Sequence, residues 1–240
     1  MSQYKPQFTT TDKIARLKRQ IIKQDKKVPS IHATNQMYHN AILRDVCSSL
    51  AIEKDSFSLT LQQVTGIVDG NYANADEDNI QKVENAYKAY SAIYHRQFES
   101  FDVYSTAELL GIHGMFMAGF SEQAGRYRSD NTVSRRMDGL FEWVKASKED
   151  ALVKSCVFHY ELMTLRPFNE GNGLVARIWQ TLLHMLSIRM PIWSVVHGRR
   201  QEYYDVLAIP NKEESLTKFI EFMLQAISDA MAEFQKDPTR

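Results

Sequence analysis

Residues Thr164 to Trp179 read TLRPFNEGNGLVARIW. A residue before proline is pushed out of the α region, so a helix arriving through His159 and Met163 is expected to stop at Arg166-Pro167. The chain must then turn through Asn169-Glu170-Gly171-Asn172-Gly173 and re-enter a helix at Leu174-Val175-Ala176-Arg177. Glycines permit φ > 0 and close backbone approach, so successive N–H groups in this turn can curl into an anion-holding nest. Those amides would open a helix, where four donors lack partners and the dipole favours negative charge. Arg177 is expected in that first turn, where a cation is unfavourable unless an anion offsets it. Glu170 supplies a hard oxygen at the rim, suited to a Mg²⁺ that keeps waters and phosphate oxygens as its other ligands. The same residues also fit a glycine-rich turn between two buried helices, with Glu170 and Arg177 as a structural ion pair.

Composition narrows the class. The 240 residues are 44% hydrophobic and 24% charged, an ordinary globular profile and long enough for one substantial core. Lys plus Arg and Asp plus Glu both number 29, so no bulk charge draws the chain to nucleic acid or an anionic membrane. The basic pairs Lys18-Arg19 and Arg199-Arg200 read as solvated helix faces. The opening MSQYKPQFTTTDK has no apolar signal core, and no later run is long and uncharged enough to span a bilayer. The expected location is therefore the cytoplasm, with Cys47 and Cys156 as free thiols. No spacing of zinc ligands is present.

Helical signals dominate. Ile14, Leu17, Ile21 and Ile22 recur at helical spacing after the threonines 9–11. Thr60 with Gln63 and Ser105 with Glu108 have capping-box spacing. Val83, Ala86, Tyr87, Tyr90 and Ile93 share one face of a run from Asp76 to Phe98. Further amphipathic runs are expected over Ser147–Leu165 and Asn211–Phe234, the second capped by Asn211 with Glu214 three residues on. Ten glycines and six prolines leave few sites for hairpins, and no strand-length period-two run stands out. The fold class is all-α. A soft seam at Asp69–Asp78 separates an N-terminal helical arm, residues 1–75, from a core of residues 76–240 within one compact unit.

The segment Arg166-Pro-Phe-Asn-Glu-Gly-Asn-Gly-Leu-Val-Ala-Arg177 resembles the signature of the Fic (Fido) family, His-Pro-Phe-x-Asp/Glu-Gly-Asn-Gly-Arg-x-x-Arg. Leu109 to His113 followed by Gly125-Arg126-Tyr127-Arg128, His159 two turns before the signature, and Arg200 with Tyr203-Tyr204 agree in order and spacing. The resemblance implies a Fic-type helical bundle with an N-terminal arm. Its implied activity moves a nucleotide monophosphate, usually AMP from ATP, onto a Ser, Thr or Tyr hydroxyl of a target protein. Carried over by position, Glu170 would hold Mg²⁺ and Asn172 would contact the α-phosphate of ATP. The backbone of Gly171 and Gly173 would cradle phosphates, and Arg177 would meet the terminal one. Phe168, Tyr203 and Tyr204 fall at the implied nucleotide site. Ser49-Leu-Ala-Ile-Glu53 resembles the family's inhibitory motif, Ser/Thr-x-x-x-Glu followed by Gly or Asn, although Lys54 follows here. Glu53 would then reach Arg177 and block seating of the terminal phosphate.

Three departures bear on activity. The family's catalytic histidine is Arg166 here, and guanidinium has no lone pair and a pKa above about 12, so it cannot act as a general base. His159 does not replace it: seven residues along a helix is roughly 10 Å. It is expected to be a packed, hydrogen-bonded histidine, as is His113. The family's first signature arginine is Leu174, which removes a cation from a phosphate site. The β-hairpin flap that the family uses to dock target backbone is shortened to Ser129–Val133. The expectation is a nucleotide-binding pseudoenzyme, catalytically impaired or inactive. The alternative is a working transferase with altered chemistry, either slow AMP transfer or movement of another phosphate-containing group. Expected partners are a nucleotide and a protein target, with the oligomeric state open between monomer and homodimer.

Overall fold

A computed structural model describes residues 4–27, 35–53, 57–73, 75–94, 101–188 and 196–236. Among these residues lie ten α-helices and no strand. They are α1 (Asp12–Asp25), α2 (Asn35–Glu53), α3 (Leu61–Val68), α4 (Glu77–Tyr94) and α5 (Thr106–Met117), then α6 (Val133–Ala146), α7 (Ala151–Leu165), α8 (Asn172–His184), α9 (Arg200–Leu207) and α10 (Lys212–Lys236).

The caps account for several boundaries. Thr11 accepts from the Ile14 N–H, and Thr60 and Gln63 complete a reciprocal capping box. Ser105 accepts from the Glu108 N–H, and Asn211 accepts from the Glu214 N–H at 3.1 Å. One expected start is corrected. Ser147 ends α6, its N–H bonded to the Trp143 carbonyl, and Asp150 caps α7 through the Val153 N–H. The 147–150 link is therefore a helix-to-helix connection. The expected end of α4 at Phe98 falls outside the described residues.

Every residue of α8 is buried, and α7, α2 and α5 pack directly on it. Trp179 sits at its centre with the rings of Phe101, Phe141 and Phe158 at 5.8, 6.0 and 6.0 Å. α7 lies along α8 and has two apolar faces. Phe158, Leu162 and Leu165 join a core built with α2 to α6 and α8. Leu152, Val153, Cys156, Val157 and Tyr160 join a second core built with α1, α9 and α10. α1 therefore lies along α10, while α2 packs on α4 and α8. That second placement brings the C-terminal end of α2 against the start of α8, where the Thr164–Trp179 turn lies.

Candidate functional site

The turn between α7 and α8 is held open by unusual backbone. Arg166 caps α7 in the left-handed region, at φ 49° and ψ 64°, the only non-glycine residue with positive φ among the described residues. Proline after it disfavours the right-handed α region, and the chain leaves the helix by the left-handed route rather than by an extended one. For a long side chain this conformation is strained and persists because its surroundings hold it. Arg128 does the holding: its Nε donates to the Arg166 carbonyl at 2.9 Å and its backbone N–H to the Pro167 carbonyl at 2.9 Å. Asp130 orients that guanidinium at 2.7 Å, and two donations from Thr132 together with Arg128 hold the Asp130 carboxyl down at about 2. The turn expected to be a shortened flap thus braces the loop.

Asn172 was expected at the α-phosphate. Its side chain lines the cavity described below but is engaged with the loop itself: Oδ1 accepts from the Phe168 N–H at 3.0 Å and Nδ2 donates to the Phe168 carbonyl at 2.8 Å. Phe168 is buried and stacks face to face on His113, with centroids 3.8 Å apart and planes 8° from parallel. His113 accepts from the Gly125 N–H at 3.0 Å through Nδ1, so Nε2 carries the hydrogen and donates to the Glu170 carbonyl at 3.2 Å.

Two glycines are required here. Gly171, at φ 72°, opens α8 without a side-chain cap, and a Cβ there would lie 2.9 Å from Met117 Sδ. A Cβ on Gly173 would overlap Glu53 Oε1 and lie 2.9 Å from Arg177 Nη1. The uncapped start of α8 therefore faces an acidic side chain from α2, which occupies the position an anion would take.

Arg177 falls in the second turn of α8, one turn later than expected, and is 6% exposed. Its Nε donates to Ser49 Oγ at 2.8 Å and its Nη2 to the Ser49 carbonyl at 3.1 Å and to Glu53 Oε1 at 2.8 Å. The Ser49–Glu53–Arg177 grouping read from the sequence is therefore a physical contact, and Arg177 pairs with Glu53 rather than with Glu170. Burial is the largest influence and disfavours the charged guanidinium, but the surrounding groups, Glu53 first among them, together outweigh it and raise its pKa. Nη1 is buried without a partner in this arrangement. Lys54 lies outside the described residues.

Glu53, Arg166, Glu170, Gly173, Leu174 and Tyr204 line one cavity of about 630 Å³, which Asn79, Lys82 and Phe120 also line. Arg166 and Glu170 are exposed at its edge, and Leu174 presents an apolar surface where a cation was expected. Tyr204 donates to the Ile52 carbonyl at 3.3 Å. Tyr203 departs from its expected place: it is fully buried in the second core and does not line the cavity. Adjacent residues on a helix point about 100° apart, so Tyr204 faces the cavity while Tyr203 faces the core. Lys82 was not singled out in the sequence, because a lysine on an amphipathic helix carries no signature.

Three histidines are buried and neutral. His159 bonds Gln180 and Tyr203, and His184 has neither ring nitrogen partnered; burial pushes both down to about 3. Burial also lowers His113. An unfolded chain takes up these protons near the ordinary value of 6.5, whereas the folded chain does not. Stability is therefore full above that value and falls as pH drops below it. His159 and His184 together are expected to cost about 2–3 kcal/mol one pH unit below 6.5. Urea midpoints flat between pH 7.5 and 5.5 would contradict the buried neutral assignment.

The comparisons with known proteins agree with this geometry. The model of the Fic/DOC family matches residues 103–184. A solved structure of a Fic family protein from Desulfovibrio desulfuricans superposes with a TM-score of 0.88 at 31% identity, covering 99% of this chain and 78% of that one. The solved Fic-1 of Caenorhabditis elegans shares the fold, with a TM-score of 0.78 at 18% identity over 93% of this chain and 71% of that one. By sequence, a "probable protein adenylyltransferase" of Aquifex aeolicus is 23% identical over 71% of this chain and 59% of its own length. A protein adenylyltransferase of C. elegans is 29% identical over 35% of this chain and 17% of its own length. The chain thus spans less than two thirds of either of these curated relatives. No helix among the described residues is long and apolar enough to cross a membrane.

Proposed function

This chain belongs to the Fic family, and from that premise we propose that its cavity binds a Mg²⁺-nucleotide while its power to transfer AMP to a protein hydroxyl is impaired or lost. The observation that carries the reading is Arg166. It stands at the cavity edge, in the position of the family's catalytic base, and a guanidinium accepts no proton. General-base catalysis is worth about 10²–10⁴ in rate, so its removal alone leaves at best a slow enzyme.

The binding half rests on what remains. The uncapped start of α8, the glycine at 173 that leaves room for an anion, and the buried unpartnered Nη1 of Arg177 all suit phosphate oxygens. Glu170 is the exposed carboxylate that would hold Mg²⁺, which supplies neutralisation of phosphate charge when bound. Leu174 removes one cation from the cavity wall, and Arg166 offers another at its edge, so the family's base position becomes a phosphate contact. Phe116 and Phe120 give the cavity an aromatic lining suited to a base or an apolar group.

The test is a Mg-ATP titration by calorimetry beside incubation with labelled ATP. Heat of binding without covalent label is the expected result, with affinity weakened by Arg166→Ala. Label that survives denaturation and is lost on replacing Asn172 would establish the transferase with altered chemistry instead.

A further inference from the structure

The end of α2 that carries Glu53 is tied down from outside the cavity. The buried apolar residues of α2 from Ala41 to Leu50 belong to the first core, whereas Ile52 is fully buried in the second, among residues of α1, α7, α9 and α10. The Ile52 carbonyl is one of the last four of the helix, which no N–H of the helix itself can meet, and the last turn of α2 holds no basic side chain to serve them. Tyr204 of α9 supplies the missing donor: its hydroxyl bonds that carbonyl at 3.3 Å. The ring is set for this by Tyr203, edge to face at 5.1 Å, and by the Arg200 guanidinium over it at 5.8 Å. Residue 52 is thus held twice, by its side chain in the core and by its carbonyl at Tyr204. The next residue is the glutamate that covers Gly173 and pairs with Arg177.

We infer that Tyr204 is a positioning residue for self-inhibition: its bond to the Ile52 carbonyl keeps the last turn of α2 wound, and so keeps Glu53 on Arg177 and over Gly173. Helix ends fray first because their outer backbone groups lack partners, and a capped last turn opens less often. Glu53 belongs to that turn, so its residence on Arg177 is set by how often the turn opens. An anion that is to reach Gly173 and Nη1 of Arg177 must displace Glu53, and the displacement is harder the more firmly Tyr204 holds. Tyr204 lines the same cavity, so its ring can meet a ligand while its hydroxyl serves α2, and removing the hydroxyl alone separates the two roles. The consequence for ligand affinity rests on the nucleotide reading above, whereas the hold on α2 does not.

The experiment uses the full chain. Tyr204→Phe keeps the ring, its packing on Tyr203 and its place in the cavity wall, and removes only the hydroxyl. The amides of Ala51, Ile52 and Glu53 should then exchange with deuterium about fivefold faster, the worth of one ordinary hydrogen bond. Mg-ATP affinity should rise about fivefold in the wild-type background and not at all in Glu53→Gly, where no glutamate is left to hold. A hydroxyl that only supports the fold moves affinity in neither background, and one that contacts the ligand lowers it in both. Either outcome overturns the inference, as does a gain of equal size in both backgrounds. If Glu53→Gly binds no Mg-ATP, the nucleotide reading falls and exchange in the last turn of α2 decides alone: unaltered rates in Tyr204→Phe overturn the role of Tyr204.

Discussion

Replacing Arg166 by histidine in a Glu53→Gly background is expected to raise covalent labelling from Mg-ATP by about 10²–10⁴-fold, the usual worth of a general base. The reason is local. The signature loop is intact around position 166: Asn172 closes it onto Phe168, Arg128 grips the carbonyls of residues 166 and 167, and Phe168 is stacked on His113. A histidine would inherit a prepared place, and it enters the left-handed region more readily than most side chains, so φ 49° is no obstacle. Its imidazole restores the lone pair that the guanidinium lacks. Arg166→Ala keeps the same left-handed backbone requirement without supplying a base and serves as the control, with no gain expected. Labelling that stays flat in Arg166→His while ATP still binds would move the lesion elsewhere, to Leu174 or to the shortened turn at 129–132.

Glu53→Gly is expected to have two effects of opposite sign. Affinity for Mg-ATP should rise at least about tenfold, since the carboxylate that occupies the space above Gly173 and one edge of Arg177 is gone. Stability should fall by roughly 1–3 kcal/mol. Stripping one partner from a buried pair costs about 3–5 kcal/mol, but Glu53 is a quarter exposed and Ser49 still bonds the guanidinium. Mg-ATP should then raise the melting temperature of the variant more than that of the wild type, as any ligand that binds only the folded state does. A variant that melts lower and binds no better would show the Glu53–Arg177 pair to be structural only.

Much of this could be seen in the linear chain because it is governed by local physics. The stop at Arg166-Pro167, the glycines at 171 and 173, and the caps at Thr11, Thr60 and Asn211 involve residues within four positions of one another. The pairing of Glu53 with Arg177 was also anticipated, although 124 residues separate them, because a motif stood in for the missing distance. Other assignments shifted. Ser147 ends one helix instead of beginning the next, since serine favours either role and only the Trp143 carbonyl decides between them. Asn172 faces its own loop as well as the cavity, and Tyr203 faces the core while Tyr204 faces the cavity.

By itself the sequence determined the helical class, the glycine-containing turn between α7 and α8, and the absence of an imidazole at position 166. Propensity, proline sterics and the protonation chemistry of guanidinium act on single residues or short windows, so no fold is needed to apply them. Only the tertiary structure decided which groups share the buried space around Arg177. α2 and α8 meet there, and two side chains one turn apart on α2, Ser49 and Glu53, converge on a guanidinium 128 and 124 positions further along the chain. That outcome depends on how helices pack around α8, and packing is a property of the whole core, in which each side chain's direction is set by neighbours that the local sequence does not contain.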